Sequence, residues 1–114
     1  MPSQPGGIYI PHMKTLSLGQ TVMSRSLYDL AQQHPALHTY CLASLSQHQE
    51  GNWGKLDPAD KALNDQTLQN GVGRIISNYP IPAPLQAQID LPDDRLWIIT
   101  YPRCETTLLF PSEY

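Results

Sequence analysis

The stretch that decides the fold is residues 49–60, QEGNWGKLDPAD, which joins a front half with helical periodicity to a back half rich in strand-forming residues. Gly51 and Gly54 can adopt backbone angles that other residues avoid, so the pattern predicts a tight connection that turns the indole of Trp53 inward. The Asp-Pro pair at 57–58 follows at once and predicts an N-cap and the first turn of a helix. The stretch therefore predicts a junction between a helical layer and a sheet.

Periodicity and capping residues predict three helices, over about 25–33, 35–49 and 58–69. Ser24 or Ser26 supplies the N-cap of the first helix, and the apolar positions of the second step by three and four along one face. In the third helix we expect Ala59 and Leu63 to face inward, together with Ala62 and Gln66.

Short strands are predicted over about 15–22, 74–79, 85–91, 95–101 and 105–110. Residues 80–84, PIPAP, predict an extended loop, because proline cannot donate a hydrogen bond within a central strand. Sequential strands with short links favour an antiparallel meander. We therefore expect a flexible arm over 1–14 and a single α+β domain over 15–114, with about three helices on one face of a three- to four-stranded antiparallel sheet.

Charge and composition disfavour nucleic acid and membrane as partners. The formal charge is −3, with seven Lys and Arg against ten Asp and Glu, which is too few cations for a duplex-binding surface. The same acidic residues are too few to imitate duplex DNA, which carries one charge per roughly 1.7 Å. No apolar run reaches about 18 residues and no basic-then-apolar leader is present, so we expect a cytoplasmic protein.

Metal and redox chemistry have weak support in the sequence. His34 and His38 are four residues apart, which could place two imidazoles on one helix face, but no third ligand is adjacent. Cys41 and Cys104 stand 63 residues apart, and we favour two free thiols over a disulfide. We expect no metal and no cofactor.

Five polar residues could converge on the glycine-framed connection: His48, Asn52, Asp60, Asn64 and Arg103. A catalytic pocket would use His48, Asp60, Asn64 and Arg103. There His48 would be a general base that Asp60 orients. We favour a structural interpretation, in which Asp60 caps its own helix, Asn64 bonds a loop carbonyl and His48 satisfies the end of the preceding helix. Trp53 and Trp97 could likewise stack on a ligand, but glycine framing and strand alternation favour two core anchors.

An ordered set of motifs carries a family resemblance: GNWG at 51–54, Asp60, Asn64, GRI at 73–75, Ser77, Tyr79, LWIIT at 96–100, TTLL at 106–109 and PSEY at 111–114. The set resembles a family of small, functionally uncharacterised proteins carried on plasmids and integrative elements of proteobacteria. The resemblance covers roughly residues 48–114. It departs at Asn52, where the family usually has an acid, and at 101–104, where the family has a charged segment.

The resemblance implies a mobile-element accessory protein, a class that often encodes inhibitors of host defence such as antirestriction or anti-CRISPR proteins. With few catalytic constellations in the sequence, we expect a non-enzymatic protein that binds a host protein. The expected contact surface is the arm residues Ile8, Tyr9 and Ile10, the proline loop around Ile81 and Leu85, and an exposed sheet edge. The alternatives are a small enzyme or ligand binder at the polar residues above, and a homodimeric module that pairs through its sheet edge.

Overall fold

The computed structural model describes residues 16–102 and 105–114 of the 114-residue chain. Its elements are β1 (Gln20–Met23), α1 (Arg25–Gln33), α2 (Pro35–Gln49), α3 (Pro58–Asn70), β2 (Ile75–Pro80), α4 (Ala83–Gln88), β3 (Arg95–Tyr101), β4 (Glu105–Leu109) and a 3-10 turn (Pro111–Glu113). The predicted α+β class is confirmed. The arm over 1–14, with Ile8, Tyr9 and Ile10, lies outside the described residues.

The sheet is mixed, which corrects the prediction of a purely antiparallel meander. Its strand order is β1-β4-β3-β2, with β2–β3 and β3–β4 antiparallel and β1 parallel to β4. The chain passes through helices and two strands between β1 and β4, and a parallel pair requires such a long crossover connection. The predicted antiparallel pairing of sequential strands is therefore right for β2, β3 and β4, whereas β1 pairs in parallel with β4.

The segment predicted as a proline loop and a strand over 85–91 is instead the end of β2 followed by the short helix α4. Pro82 precedes α4 and Pro84 lies in its first turn, where proline costs no hydrogen bond. Ile81, Leu85 and Ile89 recur every fourth residue, which is helical spacing, and all three are buried. The expected contact surface therefore loses Ile81 and Leu85, because both lie in the main core.

The inner face of the sheet carries the main core. Its buried side chains alternate along the strands: Ile75, Ser77 and Tyr79 on β2, Leu96, Ile98 and Thr100 on β3, and Thr106 and Leu108 on β4. Helices α1 and α2 cover this face with Leu27, Leu37 and Cys41. The cap of α1 is Ser24, whose hydroxyl accepts a hydrogen bond from the Leu27 backbone N–H at 3.3 Å.

Helix α3 lies beside the sheet edge and turns a different face inward from the one predicted. Its buried residues are Asn64 and Thr67, whereas Leu63 is 59% exposed. Its N-cap is Asp57, whose carboxylate accepts from the Asp60 backbone N–H at 3.1 Å, so Asp60 is not the capping residue. The prediction that Leu63 and its helical neighbours face the core is wrong, because α3 turns Asn64 toward β2 and leaves Leu63 exposed.

Candidate functional site: a groove at the capped edge of the sheet

Helix α3 closes the outer edge of β2 through one amide side chain. Asn64 Nδ2 donates to the carbonyl oxygen of Ile76 at 2.8 Å, and Asn64 Oδ1 accepts from the Ile76 backbone N–H at 3.3 Å. The side chain thus pairs with the strand as a neighbouring strand would. This requirement fixes the rotation of α3 about its axis and leaves Leu63, the preceding residue, on the exposed side.

The connection between α2 and α3, residues 50–57 and hereafter the corner, closes the next position on the same edge. The Trp53 carbonyl accepts from the Asn78 backbone N–H at 3.1 Å, and the Lys55 N–H donates to the Asn78 carbonyl at 2.7 Å. Gly54 lies between them with φ +80°, and a Cβ atom there would sit 2.1 Å from the Asn78 carbonyl oxygen. Only glycine allows this close approach.

The third outward position on β2 is Pro80, which has no N–H and whose carbonyl accepts from the Tyr40 hydroxyl at 2.5 Å. The backbone groups that β2 turns outward at Ile76, Asn78 and Pro80 are therefore all paired. A partner strand cannot add here, and β1 is the edge strand that remains in the described sheet.

Trp53 anchors the corner from inside. Its side chain is 3% exposed, its Nε1 donates to Asp65 on α3 at 2.9 Å, and its ring meets the imidazole of His48 edge-on at 5.7 Å. A buried indole with a paired N–H is a stable core element. The side chain therefore joins the end of α2 to α3 and offers no surface to a ligand.

His48 is the centre of a buried chain of hydroxyl groups on the inner face. Its Nδ1 lies 2.6 Å from Ser77 Oγ and its Nε2 lies 2.8 Å from Thr100 Oγ1. Thr100 Oγ1 lies 2.7 Å from Thr106 Oγ1, and Thr106 donates to the Leu18 carbonyl at 2.6 Å.

The direction of this chain fixes the tautomer of His48. The single hydroxyl proton of Thr106 goes to a carbonyl, which can only accept, so Thr100 must donate to Thr106. Thr100 then accepts from His48, which places the proton on Nε2, and Nδ1 accepts from the Ser77 hydroxyl. Each polar atom of the imidazole is thus satisfied while the ring is neutral.

Burial lowers the pKa of His48 to about 4, because desolvation disfavours the imidazolium. The ring is fully buried and both nitrogens are engaged. A general base must reach a substrate proton at hydrogen-bonding distance. His48 is therefore a structural group of the core.

The outer face of the sheet, together with α3 and the corner, forms a groove of about 320 Å³, hereafter the outer groove. It is lined by Leu56, Asp60, Leu63, Asn64, Arg74, Ile76, Asn78 and Trp97. Half of these residues are apolar or aromatic, namely Leu56, Leu63, Ile76 and Trp97, and one cation and one carboxylate lie among the others. A concave, mainly apolar surface with a few polar groups is typical of a binding site.

Two residues that line the outer groove each have a buried polar atom without a hydrogen-bond partner in the described structure: Trp97 Nε1 and Asn78 Oδ1. The orientation of the Asn78 amide is set by its other end, since Nδ2 donates to the Lys55 carbonyl at 3.0 Å. The groove thus contains an unpaired donor and an unpaired acceptor. Such buried groups are uncommon in folded proteins and call for an explanation.

The C-terminal residues border the groove. The ring of Tyr114 meets that of Trp97 edge-on at 5.6 Å, and the guanidinium of Arg74 lies 5.3 Å from the centre of the Tyr114 ring. Glu113 binds the start of α1, where its carboxylate accepts from the hydroxyls of Ser24 and Ser26. These contacts hold the terminal turn against β3 and fix one side of the Trp97 indole.

The structure separates the residues of the predicted catalytic pocket. Asp60 and Asn64 line the outer groove, whereas His48 lies under the inner face of the sheet, and Arg103 lies outside the described residues. Within residues 16–102 and 105–114, no three His, Cys, Asp or Glu side chains are grouped to hold a metal ion. Cys41 is a buried free thiol.

Sequence reasoning missed the pairing of Trp97 with Asn78. The strand contains two adjacent polar residues, Ser77 and Asn78, so the polarity of Asn78 alone did not single it out. Without the register between β2 and β3, nothing in the sequence indicated that Trp97 lies opposite it.

The fold and the groove define an α+β protein in which a helix caps one edge of the sheet. None of the described helices has the length and apolar character needed to cross a membrane. Comparison of the chain with protein-family models, with curated proteins and with solved structures gives no match.

Proposed function

We propose that the protein acts by binding another protein through the outer groove. The observation that carries this proposal is Leu63, a large apolar side chain that is 59% exposed on the rim of a concave apolar surface. A concave, mainly apolar surface with a few polar groups is a common form of binding site, and Leu63 adds an apolar group at its rim. The motif resemblance supports a more specific role, that of a cytoplasmic mobile-element accessory protein that inhibits a host defence system of the restriction or CRISPR type.

An enzymatic role has less support. The described residue best suited to acid–base chemistry is His48, and its burial and its two hydrogen bonds remove it from any substrate. The groove itself offers Asp60 and Arg74 as ionisable groups. Neither is paired with a nucleophile or a base among the groove-lining residues.

The test compares two leucine variants in the full chain. Leu63→Glu places a carboxylate on the rim of the outer groove, and Leu42→Glu does the same on α2, where Leu42 is 51% exposed on the other side of the sheet. Each variant is used to capture proteins from cells that contain restriction and CRISPR systems. We expect wild type and Leu42→Glu to retain the same stoichiometric partner and Leu63→Glu to lose it. Equal capture by Leu63→Glu, or no partner for wild type, contradicts the proposal.

A homodimer through β1 is a second candidate. This four-residue strand pairs with β4 on one side and has no strand neighbour on the other in the described sheet. An unpaired edge can join the same edge of a second copy. Light scattering across a wide concentration range tests it, and a constant monomer mass contradicts it.

A further inference from the structure

We infer that the outer groove recognises an uncharged carboxamide, presented as the side chain of an Asn or Gln on the bound protein. This inference rests on the proposed function and names the chemistry of its contact. It is carried by the donor Trp97 Nε1–H and the acceptor Asn78 Oδ1, which belong to two residues that line the same groove, are buried, and have no hydrogen-bond partner in the described structure.

The two atoms belong to directly opposed residues. Asn78 faces Trp97 in the register of β2 and β3. The backbone groups of Asn78 point away from β3, to Trp53 and Lys55 of the corner, so the opposed pair is not hydrogen-bonded across the strands. In such a pair the Cα atoms are only about 4.5 Å apart and the side chains lie close together. A single small group can therefore address both.

Each of the two atoms has a fixed hydrogen-bonding role. The indole N–H of Trp97 can only donate. The amide of Asn78 is held by the bond from its Nδ2 to Lys55, which leaves Oδ1 as an acceptor. A complementary ligand must accept from the first and donate to the second.

A carboxamide meets both demands on one rigid, neutral group, with its oxygen toward Trp97 and its NH2 toward Asn78. A carboxylate could accept from Trp97 but would place negative charge against the Asn78 oxygen, and an ammonium offers no acceptor. Both ions also lose their hydration on entering an apolar groove. A hydroxyl carries both roles on a single oxygen and must reach two strands from one point.

The walls fit the rest of such a side chain. Leu56, Leu63 and Ile76 provide apolar contacts for a short alkyl stem. The two polar atoms lie beneath the groove surface, so binding requires side chains of the rim to move, and Leu63, which is 59% exposed, can change rotamer. Rotamer changes of exposed side chains take place within nanoseconds.

The experiment uses four probes that share one alkyl chain: butyramide, butyrate, n-butylammonium and 1-butanol. Each is titrated into the ¹⁵N-labelled full-length protein, and the two indole N–H resonances are followed, with Trp97→Phe used for their assignment. We expect butyramide to shift the Trp97 resonance in a saturable manner, with affinity at least about tenfold above the other three probes. The Trp53 resonance should not move, because its N–H already donates to Asp65.

Asn78→Ala removes the acceptor and keeps the Trp97 reporter. We expect this variant to lose the preference for butyramide over butyrate, while an unchanged Trp53 resonance shows that the corner is intact. Equal shifts with all four probes overturn the inference. So does a Trp97 resonance that butyramide leaves unmoved at every concentration, because the probe then does not reach the donor.

The outcome is independent of the test of protein binding. If Leu63→Glu loses a captured partner while butyramide gives no selective shift, the groove binds a protein and the carboxamide inference alone fails. If butyramide binds selectively and no partner is captured, the groove binds carboxamides and the protein-binding proposal fails.

Discussion

Acid should destabilise this protein through His48 well before its carboxylates are protonated. In the fold, burial lowers the pKa of His48 to about 4, against an ordinary value of about 6.5 in the unfolded chain. The unfolded state therefore binds a proton more readily than the native state as the pH falls. The stability that His48 contributes is fully present above about pH 6.5 and is lost as the pH falls toward 4.

The difference between these pKa values sets the magnitude. At about 1.4 kcal/mol for each pKa unit, the full loss below pH 4 is about 3 kcal/mol. By pH 5 nearly every unfolded molecule carries the proton and few native ones do, so about 2 kcal/mol is already lost. A domain of this size has a total stability of about 5–15 kcal/mol, so the loss is readily measured.

The hydrogen-bond chain explains why the native state resists protonation. A proton on Nδ1 would meet the Ser77 hydroxyl, which now donates to that nitrogen, and Ser77 would have to turn its proton elsewhere. The Nε2 proton is already committed to Thr100. The cost of charging the ring is therefore chiefly desolvation, to which the reorientation of the Ser77 hydroxyl adds.

Urea unfolding between pH 8 and 5, followed by tryptophan fluorescence, measures the effect. Wild type should lose about 2 kcal/mol of unfolding free energy over this range. The control His38→Gln removes an exposed imidazole and should lose the same amount, whereas His48→Gln should be less stable at pH 8 and nearly independent of pH down to 5. Carboxyl groups titrate mainly lower, at ordinary values of about 4.

A flat wild-type profile refutes the reasoning, and so does a His48→Gln profile as steep as that of wild type. If His48→Gln does not fold, an NMR titration of the wild-type imidazole decides the matter. Its ring resonances should remain those of a neutral Nε2–H tautomer down to pH 5. A midpoint near 6.5 in the folded protein contradicts the account.

Three further predictions concern the corner, the capped edge and the buried thiol. Gly54→Ala should cost about 3 kcal/mol of unfolding free energy, because alanine is strained in the left-handed backbone and its Cβ would clash with the β2 carbonyl. The control Gly71→Ala has a positive φ but open space around it, and it should cost only about 1–2 kcal/mol. Equal costs of the two variants in urea unfolding would exclude the clash. Asn64→Ala should cost about 2–4 kcal/mol and expose the edge of β2 to hydrogen exchange, and the exposed Gln66→Ala should cost under about 0.5. Burial raises the pKa of Cys41 to about 11, so its thiol should react with a disulfide reagent at pH 8 only after the protein unfolds. The assay uses a variant in which the other cysteine is replaced by serine. Prompt labelling of the folded variant would contradict the burial of Cys41.

The helices that begin with clear capping residues could be predicted from the sequence, and the short helix α4 could not. Asp57 followed by proline fixes the start of α3, and the apolar spacing of α2 fixes its inward face. The prolines around α4 favour an extended loop when they are considered singly. The decisive pattern is the spacing of Ile81, Leu85 and Ile89, which crosses the predicted boundary between loop and strand.

The candidate site was harder to predict because a long-range hydrogen bond decides it. Hydrophobic periodicity predicts that Leu63 faces inward, and nothing within the helix itself favours burying Asn64 in its place. Asn64 gains two hydrogen bonds to a strand twelve residues away, and leaving those backbone groups unpaired would cost more than exposing one leucine. Both hydrogen bonds join residues of different elements, so no local sequence pattern predicts that Asn64 is buried and Leu63 exposed.

The hydrogen bonds of Asn64 that close the edge of β2 therefore also set the rotation of α3 that forms the outer groove. A free β2 edge would invite pairing with other chains, and Asn64 together with the corner removes that hazard. The same rotation of α3 turns Leu63 outward into the groove that Asn78 and Trp97 also line, and the unpaired acceptor and donor of these two residues are a cost to the isolated protein. Pairing those two atoms with each other, or replacing them with apolar side chains, would remove this cost. These two unpaired atoms, in residues that share a groove with an exposed leucine, are the physical reason to seek a bound group there, and not at the buried histidine.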